Sequence, residues 1–181
     1  SKMTHAFQTL STNIKNNPKL REPQINSYLA LKDFYKNHFQ TSTNKEVGIV
    51  LPVGCGKSGC ITLTPFAFES KRSLVIAPGV SIANQLLEDF EPLTSFYKKC
   101  SVLKGNEFPE PVEIRSKDTN LSDLEESDVV ITNIQQLQGD NNRWLNNLPD
   151  DFFDVIIFDE GHHSVAETWE NLKTKFSQAA I

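Results

Sequence analysis

The chain lacks any apolar run near the ~20 residues that a membrane-spanning helix needs. Its start, Ser1-Lys-Met-Thr-His5, carries no apolar core of a secretory signal. No membrane partner is expected. A basic excess is missing as well: 18 Lys and Arg stand against 23 Asp and Glu, a net charge of −5. A module gripping nucleic acid over its whole surface carries the opposite sign, so any such contact must rest on a local basic groove. Cysteine is scarce. Cys55, Cys60 and Cys100 are odd in number and lack metal-ligand spacing, which suits a reducing cytoplasm. The adjacent His162 and His163 point in different directions and have no third ligand nearby, so no zinc site is expected there. Repeats and low-complexity tracts are absent too. What remains, 181 residues at 38% hydrophobic and 23% charged, suffices for one globular domain or a piece of a larger protein.

Periodicity supplies the organisation. Phe7, Leu10 and Ile14 share one helical face, giving a helical extension over residues 1–19. A second helix starts with Pro23 in its first turn and carries Tyr28, Leu29, Leu31, Phe34 and Tyr35. Then the period changes. Val47-Gly-Ile-Val-Leu51, Leu74-Val-Ile-Ala77, Val129-Val-Ile-Thr132 and Val155-Ile-Ile-Phe158 are short apolar runs without alternation. That pattern belongs to strands covered on both faces of a parallel sheet. Ser81 is placed to cap a helix through Leu86, Leu87 and Phe90. A weak strand is expected around residues 112–114, and a surface connection around Trp144 and Leu148. Trp144 and Trp169 read as core or interface aromatics. Strand–helix alternation of this kind gives an α/β fold, a mostly parallel doubly wound sheet with helices on both faces.

Two motifs carry chemistry. Leu51-Pro-Val-Gly-Cys-Gly-Lys-Ser58 follows the first apolar run. A triphosphate needs clustered backbone N–H donors, a cation near its outer oxygens and a hydroxyl for Mg²⁺. Val53, Gly54, Cys55 and Gly56 would curl around phosphate, Lys57 would supply the cation, and Ser58 the metal ligand at a helix N-terminus. Pro65 falls two turns into that helix and predicts a kink or an early end. About a hundred residues on, Asp159 and Glu160 end the last apolar strand. Asp159 is placed to hold Mg²⁺ beside the loop if the two strands are neighbours. Glu160 is placed to polarise a water attacking the γ-phosphoryl group. Loop and acids together point to ATP hydrolysis with Mg²⁺.

With both motifs in place, the chain resembles the first RecA-like, ATP-binding domain of superfamily 2 DExH-box helicases and translocases. Asp159-Glu-Gly-His162 matches that family's acidic box. The stretch from Leu51 to Ser58 matches motif I with Leu51 in place of the first glycine. Val75-Ile-Ala-Pro78-Gly79 and Asp128-Val-Val-Ile-Thr-Asn133 match motifs Ia and Ib. The run Asp159-Glu-Gly-His-His163, with Ala166 and Trp169, is closest to the restriction-enzyme and DNA-repair branch. The resemblance spans about residues 20–165, within one RecA-like domain taken as residues 20–181. It implies ATP-driven movement along nucleic acid; the branch it resembles favours DNA, and the residues themselves do not decide between DNA and RNA. By the same resemblance Gln24, in Leu20-Arg-Glu-Pro-Gln24, would contact adenine, His162 would couple the nucleotide site to the motor, and Pro78, Gly79 and Thr132 would meet nucleic acid. It also implies a second RecA-like domain, or other subunits, supplying arginines to the opposite wall. Neither that domain nor a threonine-rich motif III is evident by Ile181, so these 181 residues alone are expected to turn over little ATP. Two other classes stay open: a P-loop NTPase with no nucleic-acid role, and a degenerate domain serving as a scaffold.

Overall fold

The computed structural model describes residues 5–41, 45–46, 56–114, 120–138, 142–159 and 166–181. The strand expected at 47–51 and the loop up to residue 55 lie outside them. In chain order the helices and strands are α1 (Ala6–Thr9), α2 (Glu22–Phe34, continued by a π turn over Tyr35–Phe39) and α3 (Lys57–Ala67). Next come β1 (Ser73–Ala77), α4 (Val80–Phe90), α5 (Phe96–Lys99) and β2 (Pro111–Glu113). They are followed by α6 (Leu121–Glu125), β3 (Val129–Asn133, running into a 3-10 turn over Ile134–Leu137), α7 (Arg143–Asn146), β4 (Val155–Phe158) and α8 (Ala166–Lys175).

The described strands form one parallel sheet in the order β2-β3-β1-β4. Strand β1 is central, with Val75 opposite Ile131 on one side and Ile157 on the other. Every residue of β1 and β3 is buried. The reason lies in the alternation of Cβ atoms across a strand. Val75, Ala77, Val129 and Ile131 join Tyr28, Leu63, Phe66, Phe90 and Tyr97 in one apolar cluster. Leu74, Ile76, Val130 and Ile156 join Trp144, Phe153, Leu172 and Phe176 in another. Two covered faces demand near-continuous apolar runs, which Leu74–Ala77 and Val129–Ile131 supply, with Ser73, Thr132 and Asn133 as buried polar ends. The fold is the expected RecA-like α/β arrangement.

Local outcomes differ from expectation at three places. The helix expected through Phe7, Leu10 and Ile14 closes after Thr9. Its apolar residues are used without it: Phe7 and Ile14 are buried, and Phe7 meets Phe66 edge-on at 4.9 Å. Tertiary packing, rather than a continuous helical stripe, uses these side chains. Ser81 does not cap α4. Gly79 is the N-cap in an extended conformation, so Ser81 already sits inside the first turn. Helix α3 runs across Pro65 without interruption and ends two residues later. Glu69 takes a left-handed φ of 47°. The Ser70 N–H then donates to the Pro65 carbonyl at 3.0 Å and Glu69 N–H to Phe66 at 3.2 Å, a Schellman closure. The helix thus runs uninterrupted across Thr64–Phe66, against the kink or early end expected at Pro65, and it is Glu69 and Ser70 that close it.

Trp144 is core, as anticipated; it is buried and its indole N–H donates to the Gln136 carbonyl at 3.0 Å. No described helix is long and apolar enough to cross a membrane.

Candidate nucleotide site

Parallel strands deliver their carboxyl ends to one edge of the sheet, and ligands of open α/β sheets bind there. Strand β4 ends at Phe158, and the Asp159 N–H donates to the Ile76 carbonyl of β1 at 2.9 Å. That bond holds Asp159 at the sheet edge, where it is buried. Helix α3 begins at Lys57, so its ammonium and the Ser58 hydroxyl arrive from the neighbouring element. Lys57 Nζ lies 2.5 Å from Asp159 Oδ1. The two motifs, far apart in sequence, thus converge on one ion pair.

The pair is asymmetric. The Lys57 side chain is 45% exposed and that of Asp159 9%. Among the described residues, no hydrogen bond of normal geometry reaches Oδ1, despite its close contact with the ammonium. A buried carboxylate oxygen with acceptor capacity left over is costly unless something else binds it. Oxygen donors of this kind suit Mg²⁺, which takes one or two carboxylates plus substrate phosphates. Asp159 and the Ser58 hydroxyl are therefore a fitting donor set.

Ser58 has a partner that the sequence did not announce. Its hydroxyl is hydrogen-bonded to Asp89 of α4. Burial raises the Asp89 pKa, while Lys99 and the Ser58 bond pull it down and Glu88 pushes it up. A hydroxyl donating to Asp89 keeps its lone pairs for a cation. Nothing in the helical pattern of α4 marks Asp89, because it is one of several polar positions on that helix.

Gln24 is brought to the same place, but in an unexpected state. It is 3% exposed. Its Oε1 accepts from the Arg21 N–H at 2.8 Å, and its Nε2 donates to the Gly56 carbonyl at 3.0 Å. Gly56 itself has φ +82°, which only glycine adopts without strain.

Pro78 and Gly79 lie half-buried at the same sheet edge, where α4 starts without a side-chain cap. A Cβ at Gly79 would meet nothing within 4 Å, so open space faces this turn. Thr132 is fully buried within β3, and no face of it is open to a ligand. Val53, Gly54, Cys55, Glu160 and His162 fall outside the described residues. Just below the site, Phe158 stacks on Trp169 of α8, with ring centroids 4.7 Å apart and planes at 17°. The Trp169 N–H donates to Glu46 Oε1 at 2.9 Å, and Lys173 Nζ lies 2.8 Å from the same oxygen. Trp169 thus packs within the domain, tying Glu46 to Phe158, the residue before Asp159.

Compared with known proteins, residues 17–181 match a family described as type III restriction enzyme, res subunit. No curated protein matches the chain.

Proposed function

Because the chain belongs to the type III restriction enzyme res-subunit family, a helicase-like RecA-type ATPase domain, we propose that it binds Mg·ATP at the edge of β1 and β4 and couples hydrolysis to movement on DNA. The observation that carries this reading is the Lys57–Asp159 contact at 2.5 Å. It joins a phosphate-binding cation to a metal-binding acid at the carboxyl edge of a parallel sheet.

Lys57 would leave Asp159 for the β- and γ-phosphate oxygens, exchanging one anion for another. Asp159 and Ser58 would then hold Mg²⁺, which neutralises charge on the transferring phosphoryl group. Asp89 keeps the Ser58 hydroxyl turned so that its oxygen faces the cation. Glu160, next along the chain, would orient the attacking water, and His162 would relay the state of the site. The turn at Pro78 and Gly79 offers backbone N–H groups to a nucleic-acid phosphate, a contact that positions without reading sequence. A second RecA-like domain is the proposed source of the opposite wall.

Calorimetry with Mg·ATP tests the site. Lys57→Ala should weaken binding by about a hundredfold, the loss of a charge-assisted contact. Equal affinity in both proteins would remove the assignment. For the coupling, ATP turnover by the full-length protein should rise on adding duplex DNA. A rate indifferent to DNA and RNA would favour instead a P-loop ATPase with no nucleic-acid role.

A further inference from the structure

The geometry points to Trp169 as a positioning residue for Asp159, one that aims the metal-binding carboxylate from the opposite face of the sheet. This rests on the nucleotide-binding reading above. Strand β4 loses cover towards its carboxyl end: Val155 and Ile156 are buried, whereas Ile157 and Phe158 are half-buried. A strand end so open can roll about its own axis, and a roll there swings the next side chain, that of Asp159. Two contacts oppose this motion. The Asp159 N–H donates in the plane of the sheet to the Ile76 carbonyl at 2.9 Å, which holds the backbone beside β1 but leaves it free to turn about that bond. Out of the plane, the Phe158 ring lies on Trp169, with 4.7 Å between centroids and 17° between planes. Such a ring pair stabilises beyond its buried area and resists rotation of either partner.

The two faces of the sheet divide the work. Side chains alternate across a strand, so Phe158 and Asp159 leave the backbone on opposite sides. Phe158 packs against the cluster that holds Ile156, Leu172 and Phe176. Helix α3, which brings Lys57, packs through Leu63, Phe66 and Ala67 into the other cluster. Lys57 therefore reaches Asp159 from one face, while Trp169 grips its neighbour from the other. Trp169 stands three and seven residues before Leu172 and Phe176, on the same side of α8. Those two are each 1% exposed and serve the core. Trp169 is half-buried and carries what they lack, an indole N–H, which donates to Glu46 Oε1 at 2.9 Å. Lys173, one turn on, meets the same oxygen at 2.8 Å. The carboxylate so held sets the angle of the indole, and the indole sets the angle of Phe158. Core packing alone would need neither the flat stack nor the tethered edge.

Binding of ATP with and without the metal separates aim from support. ATP in EDTA meets Lys57 but makes no use of a ligand for Mg²⁺, whereas Mg·ATP needs the Asp159 carboxylate in place. Calorimetric titration of the full chain gives a Kd in each buffer, and their ratio measures what the metal site adds. Trp169→Leu should shrink that ratio about tenfold, the usual cost of losing a group that orients a metal ligand, with the EDTA value at the wild-type level. Trp169→Phe keeps a ring over Phe158 and should restore most of the ratio. Equal weakening in both buffers, or an unchanged ratio in Trp169→Leu, would overturn the proposal and leave Trp169 a packing residue only. If a thermal melt shows Trp169→Leu to be unfolded, Phe158→Leu removes the same stack from the strand side and decides by the same ratio. Wild type that binds ATP in neither buffer, or equally in both, would instead remove the Mg·ATP site itself.

Discussion

The two ends of the central sheet each hold a cation beside acids, yet they are built to opposite specifications. At the amino edge, Arg72 donates to the carbonyls of Glu125, Ser127 and Phe152 at 2.8, 3.2 and 3.3 Å. Its guanidinium also lies 4.0 Å from the Phe152 ring centroid. Asp154 beside it accepts from the Ser70 hydroxyl at 2.5 Å and from the Lys71 and Arg72 N–H groups at 2.7 and 3.4 Å. Asp128 accepts from Ala6 and Glu110. Burial works against the Arg72 charge, and Asp128, Asp154 and Glu125 offset it. At the carboxyl edge, Asp159 has the Lys57 ammonium and acceptor capacity to spare. One edge is saturated and holds the fold; at the other, among the described residues, Asp159 keeps acceptor capacity for a ligand. The types of residue are nearly the same. What separates structure from function here is the number of partners each charge already has.

Arg72→Met should show the largest effect, because three carbonyls lose their donor and Asp128 and Asp154 lose a neighbouring positive charge together. Urea unfolding should register a loss of about 3 kcal/mol. A variant as stable as wild type would break the comparison at its firmer end. At the other edge, wild type at a hundredfold excess of Mg·ATP over its Kd should gain about 2.7 kcal/mol of stability by linkage. Lys57→Ala should lose that gain, and its ligand-free stability should fall as well, because the buried Asp159 carboxylate loses its counter-charge. Asp159→Asn removes an under-bonded buried charge, so ligand-free stability should hold or rise by up to about 1 kcal/mol as Mg·ATP binding falls. A large drop in ligand-free stability would show that Asp159 is structural after all.

The smallest effect concerns pH. The Lys173 hydrogen bond and the Trp169 N–H hold the Glu46 carboxyl below its ordinary 4.5. A depressed acid contributes while ionised, so the clasp on Trp169 should persist down to that value and open as the pH falls further. Tryptophan emission should then shift in wild type and stay flat in Glu46→Gln. An emission change centred near neutral pH would assign the transition to another group.

Much of this was legible in the sequence, for a physical reason. Strands buried on both faces must be apolar throughout, so β1, β3 and β4 declared themselves without alternation. Glycine, lysine and serine in one short run, and acids at a strand end, are constrained by phosphate and metal chemistry, so Lys57, Ser58 and Asp159 could be named. The contacts between helices were not legible. Asp89 meets Ser58 across two elements, and Gln24 meets Gly56 across 32 positions. No local pattern encodes such meetings. The burial of Thr132 was not legible either, since inward or outward placement depends on what covers β3. The cap at Ser81 failed by two residues because Gly79 could enter the helix directly.

The order of the strands has a consequence for how the chain is made. Strand β1 is the centre of the sheet, but its partners β3 and β4 come much later in the chain. The lock beneath β1 and β4 closes only when Asp154 meets Arg72, 82 residues away. At about 5–20 residues per second of synthesis, the central strand waits roughly 3–11 s for β3 and roughly 4–16 s for the partner on its other edge. Contacts of such long range also slow folding in free solution. The nascent chain therefore holds β1 with its edges unpaired and with the face formed by Leu74 and Ile76 uncovered until later elements arrive, and a chaperone that shields extended apolar strands should raise the yield of folded protein.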